Sequence, residues 1–163
     1  MNKERYARTV AFFKENKRAR FWLAVIYKYL PNVVFISYAG LLAYTFFYMR
    51  DNFWEIMLFP LGVLIFTSVF RAIINEPRPY EYYGIESVFE KKTKGKSLPS
   101  RHTASTFIIA MAFYSVNPVL GIIMILISVL IGASRVLAGA HYIRDVLIAM
   151  AISLEIGWIM LVN

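Results

Sequence analysis

At 163 residues the chain has room for one domain, and with 59% hydrophobic residues and a mean hydropathy of +0.55 it exceeds the roughly 45–50% apolar content of soluble domains, which points to burial in lipid. It contains no cysteine, which excludes disulfides and thiolate metal sites. The net charge of +8 would raise nucleic acid as a partner of a soluble protein, but here the basic residues border apolar segments, so anionic headgroups and phosphate-bearing substrates are the expected partners and nucleic acid is not.

Residues 1–30 open the chain with eight Lys/Arg (Lys3, Arg5, Arg8, Lys14, Lys17, Arg18, Arg20, Lys28) interleaved with Val10, Phe12, Phe13, Phe21, Trp22 and Val25. This pattern predicts a basic amphipathic helix lying at the membrane interface. A solvated helical arm is the alternative. The first twenty residues are charged throughout and lack the apolar core of a cleavable signal.

Residues 31–163 read as a transmembrane domain. A bilayer span takes about 20 apolar residues in a helix. Spans are predicted at 31–49, 53–74, 102–116, 119–133 and 146–162, the third of them short. The polar connections are Arg50-Asp51-Asn52, a broad loop over 75–101, the turn Asn117-Pro118, and a re-entry over 134–145. The expected fold is an all-α integral membrane helical bundle, with about five transmembrane helices behind the interfacial one. Alternation of the spans places the loop 75–101 and the stretch 134–145 on one membrane side.

Three clusters on that side carry the chemistry. They are Arg71 to Pro79, Leu98-Pro99-Ser100-Arg101-His102, and Ser134-Arg135 to His141 and Asp145. Arg71 and Arg135 stand at the ends of apolar spans, where an ionised group is costly unless paired. Snorkelling to the interface would explain one such arginine. Two beside histidine-bearing stretches favour a shared anion, because guanidinium forks match phosphate oxygens. The chain has only two histidines, and both fall in these clusters. His141 and Asp145 are spaced i, i+4 on one helical face, so the carboxylate can hold one ring nitrogen and leave the other free to attack. A purely structural His–Asp pair is the competing reading. His102 opens the third span, where unpaired backbone N–H groups can hold an anion.

The three clusters resemble the signature motifs of the type 2 phosphatidic acid phosphatase family, K-x6-R-P, P-S-G-H and S-R-x5-H-x3-D, whose superfamily includes vanadium haloperoxidases. The resemblance runs from about residue 54 to the end and keeps order and internal spacing. It implies a metal-independent lipid phosphatase with no cofactor. His141 would be the nucleophile that becomes phosphohistidine, Asp145 would orient it, and His102 would protonate the leaving oxygen and later activate water. Arg71, Arg78 and Arg135 would hold the phosphate oxygens, and Ser100 would add a hydrogen bond. Two positions depart from the pattern. Arg71 replaces the usual lysine, and Arg101 replaces a glycine that allows close backbone approach. Arg101 is either a cation for a second phosphate, favouring a diphosphate substrate, or a side chain turned to solvent and headgroups.

Expected substrates are phosphatidate, phosphatidylglycerophosphate or a polyprenyl phosphate or diphosphate. Phosphotransfer to an alcohol and non-enzymatic lipid-phosphate binding or transport are the rival functions; the apolar spans argue against a haloperoxidase. The run Glu90 to Lys96 reads as a solvated loop rather than a headgroup site, and Tyr80, Tyr82, Tyr83 and Phe89 either guide lipid or pack at the interface. The expected location is a prokaryotic cell membrane, multi-pass. Of 18 Lys/Arg only Arg50 lies clearly on the far side, so the positive-inside rule favours a cytoplasmic active site, against the outward-facing site common in the family.

Overall fold

The structure is a computed structural model describing residues 2–91 and 93–162; Lys92, within the charged run of the loop, lies outside them. Every regular element is helical: α1 (Lys3–Glu15), α2 (Lys17–Ala24), a π turn (Val25–Tyr29), α3 (Leu30–Tyr48), α4 (Arg50–Ile74), α5 (Pro79–Tyr83), α6 (Arg101–Val116), α7 (Pro118–Leu137) and α8 (Ile143–Val162).

Four segments among the described residues are long and apolar enough to cross a membrane, Lys17–Tyr48, Arg50–Tyr83, Pro118–Leu137 and Ile143–Val162. The remaining predicted span is α6. Its 16 residues reach only about 24 Å at 1.5 Å per residue, against a hydrocarbon core of about 30 Å. It needs no lipid contact, because Thr103 to Phe113 are all buried. α6 is the central post, and the longer helices pack around it. Their outward faces carry exposed apolar side chains such as Ile36, Phe47, Ile73 and Leu126, the surface that a bilayer covers.

The backbone does not break at residue 30. The change of direction falls earlier, at Asn16, which ends α1 and caps α2 by accepting from the Ala19 N–H at 3.0 Å. Asparagine favours such caps because its side chain satisfies an orphan donor. From Lys17 the helix runs on to Tyr48 through the π turn. That turn has a local cause. Pro31 has no N–H to give to the carbonyl four residues earlier, at Tyr27, and its ring crowds that carbonyl. The register loosens there, with the Leu30 N–H bonding back to the Val25 carbonyl. Pro60, inside α4, acts the same way. It frees the Ile56 carbonyl, which takes the Tyr38 hydroxyl at 2.9 Å and ties α3 to α4.

α6 and α7 form a tight hairpin. Asn117 caps α7 by accepting from the Val119 and Leu120 N–H groups, with Pro118 at the first helical position, where a missing N–H costs nothing. The Ser153 hydroxyl on α8 donates to the Ala104 carbonyl at 2.9 Å. The loop after α4 and the turn between α7 and α8 meet at one end of the bundle, as the predicted alternation requires. There the Val88 N–H donates to the Ala138 carbonyl at 3.0 Å, and the Ser100 N–H to the Asp145 carbonyl at 3.0 Å.

α1 packs on that same end. Tyr6 and Val10 are buried with Leu23, Tyr27, Val88, Ala138 and Ala140. The Tyr6 hydroxyl reaches the Ile85 and Gly139 carbonyls at 3.1 and 3.2 Å. α1 is therefore strapped across the loops, with Lys14 paired to Glu86 at 3.6 Å.

Candidate active site

A cavity of about 390 Å³ opens at this end, lined by Arg71, Arg78, Arg101, His102 and His141, together with Ser68, Lys91, Thr93 and Lys96. Both histidines and three of the four predicted arginines thus face one space. Arg135, Ser100 and Asp145 stand behind the lining. Lys91, Thr93 and Lys96 correct the expectation that the charged run is simply a solvated loop, since part of it walls the cavity.

The guanidinium groups are deeply placed. Arg71, Arg78 and Arg135 are 8%, 4% and 3% exposed, and among the described residues no carboxylate lies within ion-pair distance of any of them. They are held instead by main-chain carbonyls. Arg71 donates to the Lys96 carbonyl, and Arg78 donates through Nε to the Gly95 carbonyl at 3.0 Å and through Nη1 to the Ala140 carbonyl at 3.4 Å. Arg135 donates through Nη2 to the Tyr27 carbonyl at 2.9 Å, while its Nε is buried without a partner. Carbonyls fix direction without neutralising charge. Burying each cation costs on the order of several kcal/mol in desolvation, and among the described residues no carboxylate offsets it. Glu81 anchors the loop that supplies these carbonyls, accepting from the Arg78 N–H at 3.2 Å and the Gly95 N–H at 2.8 Å.

The predicted His141–Asp145 pair forms. His141 Nδ1 lies 3.4 Å from Asp145 Oδ2, with both side chains buried. The same oxygen accepts from the Ser97 hydroxyl at 2.5 Å and the Tyr142 N–H at 3.0 Å. Burial pushes the His141 imidazole down to about 4, with Asp145 opposing and Arg78 reinforcing the shift. At neutral pH the ring is therefore neutral; a proton on Nδ1, donated towards Asp145, leaves the Nε2 lone pair free. Lys91 is also pulled below its ordinary value by burial, with Tyr27 opposing. Ser100 is buried at the N-cap of α6, where its hydroxyl accepts from Thr103 Oγ1 at 2.9 Å. It sits at the foot of the helix that presents Arg101, which is exposed, and His102. No group of three or more His, Cys, Asp or Glu among the described residues is placed to hold a metal ion.

A family model described as the PAP2 superfamily matches residues 52–163. The chain belongs to the PAP2 superfamily. Undecaprenyl-diphosphatase BcrC of Bacillus subtilis (strain 168) is 27% identical over 96 residues, covering 59% of this chain and 49% of that protein; the chain thus matches about half the length of this curated relative. Two solved structures share the fold. The crystal structure of Aquifex aeolicus LpxE superposes with a TM-score of 0.65 at 24% identity, over 87% of this chain and 93% of the other. The first transmembrane PAP2 type phosphatidylglycerolphosphate phosphatase from Bacillus subtilis gives 0.67 at 21%, over 97% and 81%. The chain is thus a multi-pass membrane protein with the all-helical PAP2 architecture.

Sequence reasoning missed several residues around this PAP2 site. Ser97 precedes the second motif and carries no local signal of its contact with Asp145. Glu81 and Tyr27 act through loop and main-chain contacts that no spacing reveals, although Pro31, four residues after Tyr27, marks a carbonyl without its helical donor. Of the loop aromatics, Phe89 packs on Tyr27 with ring centroids 5.0 Å apart and Tyr83 on Tyr6 at 5.2 Å, while Tyr82 stays exposed.

Proposed function

We propose that this protein is a lipid phosphatase that hydrolyses a lipid phosphate or diphosphate through phosphohistidine at His141. The observation that carries this reading is the single cavity where both imidazoles meet carboxylate-free guanidinium groups at the end of a membrane bundle. Phosphoryl transfer needs an in-line nucleophile, an acid for the leaving oxygen and positive charge around the equatorial oxygens. His141 Nε2 attacks phosphorus and the bond to the lipid-side oxygen breaks. His102 delivers a proton to that oxygen, then takes one from the water that splits the N–P bond and releases inorganic phosphate. Asp145 keeps His141 in the reactive tautomer. Arg71, Arg78 and Arg135 bind the phosphoryl oxygens, supported by Ser100 and the first N–H groups of α6.

Five cationic side chains line the cavity, Arg71, Arg78, Lys91, Lys96 and Arg101. That exceeds what one phosphate monoester dianion requires and favours a diphosphate, with Arg101 on the second phosphate. The activity for which the undecaprenyl-diphosphatase relative is named agrees with this choice. Phosphate release from a panel of lipid mono- and diphosphates in detergent, with EDTA present, tests both levels. Wild type is expected to be active and His141→Ala inactive. Arg101→Gly loses diphosphate turnover while sparing monophosphate. Equal loss on both substrates would remove the diphosphate assignment, and an inactive wild type would remove the enzymatic one.

A further inference from the structure

Residues before position 52 lie outside the family match, yet one of them holds Arg135, which stands directly behind the cavity lining. Tyr27 is buried, and the Arg135 guanidinium lies 4.0 Å from the centroid of its ring. The same residue's carbonyl accepts from Arg135 Nη2 at 2.9 Å, and Lys91 Nζ lies 5.4 Å from the centroid of the same ring. The carbonyl is available because Pro31 occupies the position whose N–H would claim it in an α-helix, and the π turn Val25–Tyr29 stands at that point. A helix surrenders an internal hydrogen bond, and an arginine takes it.

We infer that Tyr27 is a positioning residue for the phosphate site, its ring and freed carbonyl together fixing the Arg135 guanidinium so that its unpartnered Nε faces an incoming phosphoryl group. This rests on the phosphate-site reading above. Two fixed points, a ring face and a carbonyl, leave the planar guanidinium little rotational freedom. A site that binds through forked geometry depends on that plane. Pro31 is part of the device, since an alanine there would supply an N–H that competes with Arg135 for the Tyr27 carbonyl. The Pro60, Ile56 and Tyr38 set shows the same arrangement in a purely structural setting.

The test uses orthovanadate, which mimics a phosphoryl group in transfer, and needs no turnover. Its affinity is measured by calorimetry for the full chain in detergent, for wild type, Tyr27→Leu, Tyr27→Phe, Arg135→Lys and Tyr27→Leu/Arg135→Lys, each checked for an unchanged thermal midpoint. Tyr27→Leu is expected to weaken binding about tenfold, the scale of a desolvated cation–π contact, and Tyr27→Phe to restore it to within about threefold, since it keeps ring and carbonyl and loses only the hydroxyl's contact with Arg135 and Lys91. In the Arg135→Lys background, Tyr27→Leu is expected to cost clearly less than in wild type, because most of its effect passes through Arg135 and only the Lys91 contact with the ring remains to be lost. Unchanged affinity in Tyr27→Leu, failure of Tyr27→Phe to rescue, or full additivity with Arg135→Lys would each overturn the inference and leave the phosphate site standing. Absence of vanadate binding in wild type would overturn the phosphate site itself, and this inference with it.

Discussion

At the scale of single residues, the proposed mechanism turns on His141. Its buried ring is held neutral down to about pH 4, whereas an ordinary histidine titrates near 6.5. If His141 is the nucleophile, as proposed, its protonation would block attack, and the depressed value would move acid inhibition to lower pH. kcat/KM reports the free enzyme's ionisations; it is predicted to hold from neutrality to about pH 5 and fall through about 4. An acid limb centred between 6 and 7 would contradict the burial account. Asp145 Oδ2 serves three donors at once, His141, Ser97 and the Tyr142 N–H. Ser97→Ala leaves the carboxylate less constrained and is expected to lower kcat about tenfold, the cost of about 1.4 kcal/mol of misplaced positioning. KM should change little, since Ser97 does not line the cavity. A rise in KM with kcat unchanged would assign Ser97 to substrate binding instead.

At the scale of elements, α1 matters more than a charged arm would. Tyr6 joins the loop at Ile85 to the turn at Gly139, two residues before His141. Gly139 adopts φ of +75°, and a Cβ there would stand 2.7 Å from the Tyr6 hydroxyl. Backbone strain and overlap act together. Gly139→Ala is expected to lose about 2–4 kcal/mol of stability, the sum expected for an unfavourable φ and overpacking, read as a fall in thermal midpoint in detergent. Tyr6→Phe, which leaves two carbonyls short of one hydroxyl, should lose about 1 kcal/mol. Indifference to both substitutions would mean that α1 merely rests on the loops. This contact was not legible in the sequence. The amphipathic pattern of residues 1–30 was visible, but nothing local shows that Tyr6 bonds across 133 positions to Gly139. The end of α1 was equally hidden, because Asn16 sits in an unbroken mixture of charges and aromatics. The apolar spans, by contrast, were plain from composition. α6 was recognisable as a short apolar stretch, although only its burial shows that it is the central post.

At the scale of the whole molecule, the basic amino-terminal segment and the charged cavity occupy one end of the bundle, while Arg50 and Asn117 lie at the other. The positive-inside rule therefore bears on both together, and on that ground we propose that the cavity faces the cytoplasm. Lys94→Cys near the cavity and Asn117→Cys at the far turn are both exposed positions. With a membrane-impermeant thiol reagent on intact cells, Asn117→Cys is expected to label and Lys94→Cys is not. The reverse pattern would put the cavity outside, with the catalytic cations set by chemistry and not by topology. The convergence of the three motifs on one cavity was readable from span alternation and spacing. The loop's share of the lining, Lys91, Thr93 and Lys96, was not, since a loop's path depends on where its carbonyls find donors. Here those donors are the buried Arg71 and Arg78.

The central claim is that His141 attacks a phosphoryl group held by the surrounding guanidinium groups. Its most direct test is rapid acid-free quenching of the detergent-solubilised protein during turnover of a lipid phosphate or diphosphate carrying 32P, with EDTA present, followed by separation of the labelled protein. Wild type is predicted to carry alkali-stable, acid-labile label that maps to the peptide containing His141, and His141→Ala to carry none and release no phosphate. Phosphate release that survives His141→Ala, or label that maps to another residue, would contradict it.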